Sequence, residues 1–511
     1  MKIHDQEILK SERWVYYLFA PITLLYSLFL TIFSQSGFPK IDHAYFFMPY
    51  VSDKLIGEDG YYMLGVAWNI AQGKGITYNF GEATTGIQPL ATFLYAGIAK
   101  LVQFFEGDKF VFARSTFFFN TLLFLYFSHL IGRLSLHLNV DLDKKALYLL
   151  AFSMSLFNLV LFKHFTYGLE TGLYLTLFLL TILFSLTHSL DNVKNSVILG
   201  FLVGLTGLAR IDFGVIACVF FLLKLKADKK LFLPLVLVGL VAIITVSPWF
   251  LYVHQVTQHW IPSSGGAQAS MVNSFDVLMD RAFKMLNSLG DNGIAFIYGA
   301  NLSLSLFAVF ASMIGIYLAN KHQIFSRLPK DYQYWLYGVL LIIILYVGFF
   351  WASHFYTRYS SPIVLFAIPI FSMLMIRLMK KISDLKYVIS FFFVMFFVFS
   401  VLVYHRGAIG NPHSISAGYI LEKYPNKIVG AFQSGVIGFF DPDVYNLDGK
   451  LDHVSLQYLK SGNIHQVIAN KNIEVIIDWE QYIQNIDRQF LQDHFVLVDA
   501  LPNSSLVYIK K

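Results

Sequence analysis

Charge-free apolar runs recur through the first four hundred residues, parted by short polar connectors. They cover residues 14–39, 115–132, 146–162, 171–190, 195–209, 213–223, 231–253, 292–320, 335–353, 359–376 and 387–404. A helix that crosses a membrane needs about 20 mostly apolar residues, fewer where neighbours shorten its path. The pattern therefore predicts eleven spans. A twelfth run, 89–105, is interrupted by Lys100, and its placement decides the topology.

Charge settles that placement. The connectors rich in Lys and Arg are 133–145, 224–230, 321–330 and 377–386. With 89–105 left out of the spanning count, all four share a side with Lys2, Lys10 and Arg13; with it counted, all four move to the opposite side. Cytoplasmic loops carry the excess of Lys and Arg. The run 89–105 is thus expected as a helix lying along or dipping into the interface, with the N-terminus cytoplasmic and the tail outside. The first run is too long for a signal-peptide core and has no small-residue cleavage site, so it reads as a retained anchor.

The same parity sorts the polar segments. Residues 40–114, 163–170, the apex Arg210-Ile211-Asp212, 254–291 and 354–358 all fall on the outer face. Glu58, Asp59, Glu170, Arg210, Asp212, His259 and Arg358 come from five separate loops yet share one surface. A scatter of structural charges would not sort this way. Arg210 and Asp212 sit between two short runs, and a charge at membrane depth is tolerated only where partners or water satisfy it.

Composition agrees with a bilayer. Of 511 residues, 56% are hydrophobic and only 14% charged, against about 25% charged in soluble domains. The net charge of +6 could suggest nucleic acid, but the basic residues cluster in the connectors, which excludes that partner. The single cysteine, Cys218, lies in an apolar run and reads as a small buried hydrophobe; neither a disulfide framework nor a cysteine-based metal site can form.

From residue 405 the composition changes. Short β-like runs at 427–430, 474–478, 495–498 and 505–509 alternate with helical patterns at 413–424 and 455–459. This predicts a small α/β domain over 405–511, outside the membrane, behind a transmembrane domain over 1–404 whose first outer loop is 40–114. The turn Gln433-Ser434-Gly435-Val436-Ile437-Gly438 resembles a phosphate loop only faintly, because it lacks the Lys-Ser/Thr ending.

The densest polar patch in the membrane part surrounds Glu58-Asp59. Two neighbouring carboxylates can bind a metal, share a proton or divide acid and base roles. Acids are scarce here, the pair lies close to a membrane face, and Gly57, Gly60, Tyr61 and Tyr62 surround it. Tyr61, Tyr62, Trp68 and Trp260 are candidates for sugar stacking or interface anchoring.

Several short motifs, in order, resemble a known family. They are Glu58-Asp59-Gly60-Tyr61-Tyr62, Ala67-Trp68-Asn69-Ile70-Ala71, Gly73-Lys74-Gly75-Ile76-Thr77-Tyr78-Asn79 and Thr85-Gly86-Ile87-Gln88-Pro89-Leu90. Next come Gly168-Leu169-Glu170-Thr171-Gly172-Leu173, Gly207-Leu208-Ala209-Arg210-Ile211-Asp212, Trp260-Ile261-Pro262-Ser263-Ser264 and Arg358-Tyr359. Gly435-Val436-Ile437-Gly438-Phe439-Phe440 and Asn446-Leu447-Asp448-Gly449 follow in the tail. The set resembles the GT-C glycosyltransferases, among them the protein O-mannosyltransferases and aminoarabinose transferases. The resemblance implies a polytopic α-helical membrane fold with interfacial helices in the first outer loop and a C-terminal α/β domain. It implies inverting transfer of a sugar from a polyprenyl-phosphate donor to a glycan, lipid or protein acceptor.

The resemblance also implies roles. Asp59 and Glu58 are the catalytic candidates, with Glu170, Arg210, Asp212, Arg358, Tyr359, Tyr62, Gln88 and His259 as substrate-binding candidates. Family members often pair Asp with Glu or a second Asp at the first motif; here Glu precedes Asp, so the choice of base between Glu58 and Asp59 stays open. Related enzymes use a divalent cation near the carrier phosphate, for which Glu58, Glu82, His254 and His259 are candidate ligands, although no spacing matches a metal signature. The rival readings are a ligase or polymerase using a lipid-linked oligosaccharide, a secondary transporter, and a non-catalytic scaffold. Transporters place polar residues near the midplane and often show inverted repeats, whereas this chain concentrates them in outer loops.

Overall fold

The computed structural model describes residues 56–138, 142–268, 274–290, 313–350, 356–379, 385–394 and 412–511, together with Pro21 and Asn292. The run expected at 14–39, the first part of the loop 40–114, much of 292–320, the first two residues of the turn 354–358 and the end of 387–404 lie outside the described residues. The expected domain boundary at 404–405 lies there too.

The chain is mostly helical and carries a small sheet near its end. The first polar loop holds two helices, α1 (Glu58–Ala71) and α2 (Pro89–Phe104). Glu58 and Asp59 occupy the first turn of α1, where their charge suits the positive end of the helix. Pro89 opens α2 at a position where its missing N–H costs nothing. The run 89–105 is thus a helix, and it packs on α1.

The apolar runs become α3 (Lys109–Leu138), α4 (Lys144–Leu156), α5 (Leu159–Thr166), α6 (Thr171–Thr187), α7 (Val193–Ala209), α8 (Phe213–Ala227), α9 (Phe232–Thr257), α10 (Lys330–Phe349) and α11 (Val364–Leu378). Four helical segments among the described residues are long and apolar enough to cross a membrane: Lys109–Leu138, Lys229–Thr257, Lys330–Phe349 and Ser361–Leu378. The chain is therefore a multi-pass membrane protein. The run 146–162 is not one straight helix. It bends by 58° between α4 and α5, because the Asn158 side chain accepts the Leu161 N–H (3.1 Å) and starts a new helix. Cys218 also differs from expectation: it is exposed on α8, as are Leu233, Ile243 and Ile244 on α9. Apolar side chains on this surface face lipid rather than a core.

Inside the bundle, aromatic rings interlock and their polar ends are satisfied. Trp335 stacks on Phe220 at 4.0 Å and donates its indole N–H to Ser185 Oγ at 3.0 Å. The Tyr332 hydroxyl donates to the Leu365 carbonyl at 2.7 Å.

The tail starts with α12 (Pro412–Lys423) and forms one five-stranded sheet in the order β2-β1-β3-β5-β4. Its strands are β1 (Val429–Ala431), β2 (Val444–Asn446), β3 (Val475–Trp479), β4 (Phe495–Ala500) and β5 (Ser505–Lys510). β1 pairs in parallel with β2 and β3, while β5 is antiparallel to both β3 and β4. The expected α/β alternation is present; β2, only three residues long, carries no periodic signal. One apolar core joins this domain to the first polar loop. It includes Tyr61, Leu64 and Trp68 of α1, Tyr95 of α2, and Val429, Val436, Phe439 and Ile477 of the tail.

Candidate active site

The site is built outward from the first turn of α1. Gly57 donates its N–H to the Tyr167 carbonyl at 3.0 Å. A Cβ on Gly60 would lie 2.3 Å from that same carbonyl oxygen. The turn before α6 thus seats the start of α1 backbone to backbone. Successive helix residues point about 100° apart, so Glu58 and Asp59 cannot serve one ligand together. They face different parts of the molecule.

Glu58 faces the tail. Its two carboxylate oxygens accept the N–H groups of Gly435 and Val436 (3.1 Å for Val436) at the start of α13 (Gly435–Phe440). His413 Nδ1 lies 3.9 Å away. The turn that resembles a phosphate loop therefore does hold an anion, the chain's own Glu58. Tyr62, one helical turn on, continues the contact: its hydroxyl donates to the Phe432 carbonyl and accepts the Ser434 N–H, each at 3.1 Å. Glu58→Ala would leave two buried N–H groups without an acceptor, at a cost of about 2 kcal/mol. The expected result is a lower thermal midpoint and faster proteolysis of the tail in purified protein, with Glu58→Gln milder. An unchanged midpoint for Glu58→Ala would refute the docking role.

Asp59 faces a cavity of about 320 Å³. Of the residues singled out from sequence, Asp59, Tyr62, Gln88, Glu170, Arg210, Asp212, Arg358 and Tyr359 line it; Glu58 and His259 do not. Glu170 and Arg210 are the most enclosed charges there, 2% and 3% exposed. Arg210 closes the C-terminal end of α7. Its guanidinium donates to Asp212 (2.5 Å) and to the Tyr346 hydroxyl (2.9 Å), lies 3.9 Å from Glu170, and sits 4.5 Å over the Tyr359 ring. Arg358 donates to the Tyr359 hydroxyl at 3.0 Å. Three buried lining atoms, Gln88 Oε1, Arg210 Nη1 and Asp212 Oδ1, have no hydrogen-bond partner among the described residues. Buried polar atoms are nearly always paired, and orphans pointing to one cavity mark a place where a polar ligand or water completes the set.

A residue that the sequence did not single out completes the lining. Lys450, in the turn after β2, enters the cavity with its Nζ 3.2 Å from Asp59 and 3.3 Å from Asp448. Burial opposes its charge, but the two carboxylates more than offset that and hold the ammonium pKa above the ordinary lysine value. Burial likewise pushes the Asp448 carboxyl above its usual range, with Lys450 acting in the opposite sense. The one available signal was an Asp-Gly-Lys turn inside and just after the Asn446–Gly449 motif.

The candidate metal ligands do not converge. Glu58 is engaged with α13, Glu82 pairs with Lys471 and the Tyr445 hydroxyl, His254 stacks on Trp260, and His259 is exposed. Among the described residues no three His, Cys, Asp or Glu side chains gather as a cation site. Of the four aromatic candidates, Tyr61 and Trp68 are core residues, packed on Phe439 and Phe112. Trp260 is exposed, and Tyr62 alone lines the cavity.

No family model matches the chain, and no curated protein matches it in sequence. Among solved structures it is similar to ArnT from Cupriavidus metallidurans bound to undecaprenyl phosphate, at 12% identity and a TM-score of 0.50, over 97% of this chain and 98% of that one. The apo state of the same protein matches at 12% identity and 0.50, over 98% of both chains. The apo oligosaccharyltransferase of Archaeoglobus fulgidus matches at 10% identity and 0.50, over 98% of this chain and 75% of that one. At such identities the likeness is one of fold, and it runs from end to end. The polytopic helical fold expected from the motifs is the one found, and this chain shares it with ArnT and the oligosaccharyltransferase.

Proposed function

We propose that this chain is an inverting membrane glycosyltransferase that moves a sugar from a polyprenyl-phosphate donor to a hydroxyl of a glycan, lipid or protein acceptor. The reading rests on one observation above all: a carboxylate on a rigid helix start, Asp59, shares a cavity with two guanidinium groups, Arg210 and Arg358. That is the complement a displacement at a glycosyl phosphate requires. The undecaprenyl phosphate bound to ArnT supports the choice of carrier. In the topology inferred from charge, with eleven spans and a cytoplasmic N-terminus, the cavity opens to the outer face of the inner membrane. Nucleotide sugars are absent there, which favours a lipid-linked donor.

The reaction is a single displacement. The acceptor oxygen attacks the anomeric carbon as Asp59 takes its proton, and the bond from that carbon to the phosphate oxygen breaks on the opposite face. The phosphate leaves with the electron pair and needs no strong general acid. Its charge is met by the planar, permanently charged forks of Arg210 and Arg358. Glu170 orients Arg210, and Gln88 and Tyr62 line the sugar's path.

Mass spectrometry of lipid-linked sugars and envelope glycans, with and without the gene, tests this reading. One polyprenyl-phosphate monosaccharide is expected to build up as one glycan modification disappears. Accumulation of a whole lipid-linked oligosaccharide would move the assignment to a ligase or polymerase. A lost solute flux with unchanged glycans would overturn it in favour of a transporter.

A further inference from the structure

The tail domain does more than sit beside the cavity, because one of its side chains ends on Asp59. We propose that Lys450 is a positioning residue for Asp59: the C-terminal domain supplies the counter-charge that keeps this carboxylate ionised and aimed into the cavity. The site is then complete only with that domain docked. This inference rests on the reading of Asp59 as the base.

Three features of the turn carry it. First, one ammonium bridges two carboxylates, at 3.2 Å from Asp59 and 3.3 Å from Asp448, a use of its three donors that fixes its direction. Second, the backbone under Lys450 is held from several sides. The Lys450 N–H donates to Asp448 Oδ1 (2.8 Å), and Ser263 Oγ donates to the Lys450 carbonyl (2.8 Å). Thr84 Oγ1 donates to the Leu451 carbonyl (2.6 Å), and a Cβ on Gly86 would lie 1.7 Å from the Lys450 carbonyl oxygen. The first polar loop, the start of the short helix Ser263–Gln268 and the tail thus meet at this one residue. Third, the pair is withdrawn from solvent, with side-chain exposures of 21% for Lys450 and 15% for Asp59. Screening that cancels surface ion pairs is weaker there.

Among the described residues, few charged or titratable groups surround the pair. Asp448 and Tyr482 face Lys450 from the tail, Arg358 lies within electrostatic reach of Asp59, and Tyr62 lies on Asp59's own helix with the ammonium 5.9 Å from its ring. Glu170, Arg210 and Asp212 stand around the rest of the cavity. Removing the ammonium would leave Asp59 facing Asp448 directly. Two carboxylates sharing a site cannot both ionise easily, so one retains a proton to higher pH.

The test uses right-side-out vesicles from the host, carrying the full-length protein with the host's own lipid-linked sugars and acceptors. The initial rate of glycan product is followed by mass spectrometry across bath pH. In Lys450→Met the acid limb of the profile is expected to move up by about one unit or more. At the wild-type acid midpoint this is a further loss of about fivefold or more. Lys450→Arg should return the limb to its original place. An unmoved limb in Lys450→Met, at whatever rate, overturns the inference, as does a limb in Lys450→Arg that moves as far as in Lys450→Met. If Lys450→Met does not accumulate, Asp448→Asn decides: freeing the ammonium for Asp59 alone should lower the limb, and a raised or unmoved limb refutes the role. Asp59→Asn is run alongside. Undiminished product there overturns the reading of Asp59 itself, whereas a dead Asp59→Asn with an unmoved Lys450→Met limb overturns only the role of Lys450.

Discussion

Asparagine at position 59 is expected to lower glycosyl transfer by at least about a hundredfold, the low end of what a positioned general base contributes, at unchanged protein level. The substitution keeps the shape of the side chain but removes its charge and, with it, its ability to accept the proton. It leaves the seat of α1 intact, because Glu58 and Tyr62 still bind the tail through Val436, Phe432 and Ser434. Lys450 keeps Asp448 as a partner, so no unpaired ammonium is created. The thermal midpoint should therefore hold while activity is lost, and that split is the diagnostic. Asp59→Glu keeps the charge but moves the carboxylate by a bond length, and a shift of about 1 Å can cost a hundredfold in an oriented reaction. Vesicle transfer by Asp59→Asn within about threefold of wild type would sink the proposed base, since no rate loss that small fits proton abstraction.

Much of this site is legible in the sequence, for a physical reason. Segments that leave a membrane on one face end near one surface, so a count of apolar runs and the position of Lys and Arg grouped Asp59, Glu170, Arg210, Asp212 and Arg358. All five line a single cavity. His259, sorted by the same argument, does not; parity assigns a face, not a distance. The separation of Glu58 from Asp59 follows from the turn of a helix, yet it becomes readable only once a helix, rather than an open loop, is known to start at Glu58. The partner of Glu58 could not be read at all, because α13 lies 377 residues along the chain. Lys450 was missed for the same cause: it pairs with Asp59 across 391 residues, and a lone lysine in a tail turn has no periodicity to betray it. The break at Asn158 was hidden by composition, since both halves of the bent pair are equally apolar and only one side-chain cap divides them.

Arg210→Met is expected to lose both stability and activity, and the two losses can be pulled apart. Arg210 and Glu170 are buried to 3% and 2% exposure, with Asp212 held at 2.5 Å. Removing one partner of a buried pair strands the other charge and costs about 3–5 kcal/mol. The thermal midpoint should fall accordingly, and transfer should drop at least about a hundredfold, the scale seen when a group that stabilises transition-state charge is removed. Arg210→Lys would keep the charge but not the planar group whose Nη2 donates to Asp212 and Tyr346 while its Nε faces Glu170, so it should recover more stability than rate. The double change Arg210→Met with Glu170→Gln removes the stranded carboxylate. If Arg210 acts on the leaving phosphate, the double variant regains much of the midpoint and none of the activity. If Arg210 serves only to neutralise Glu170, activity returns with stability, and the assignment of Arg210 to the phosphate fails. The two residues share one contact, so their effects should not add, and the sign of the coupling in each readout separates a structural ion pair from a phosphate clamp.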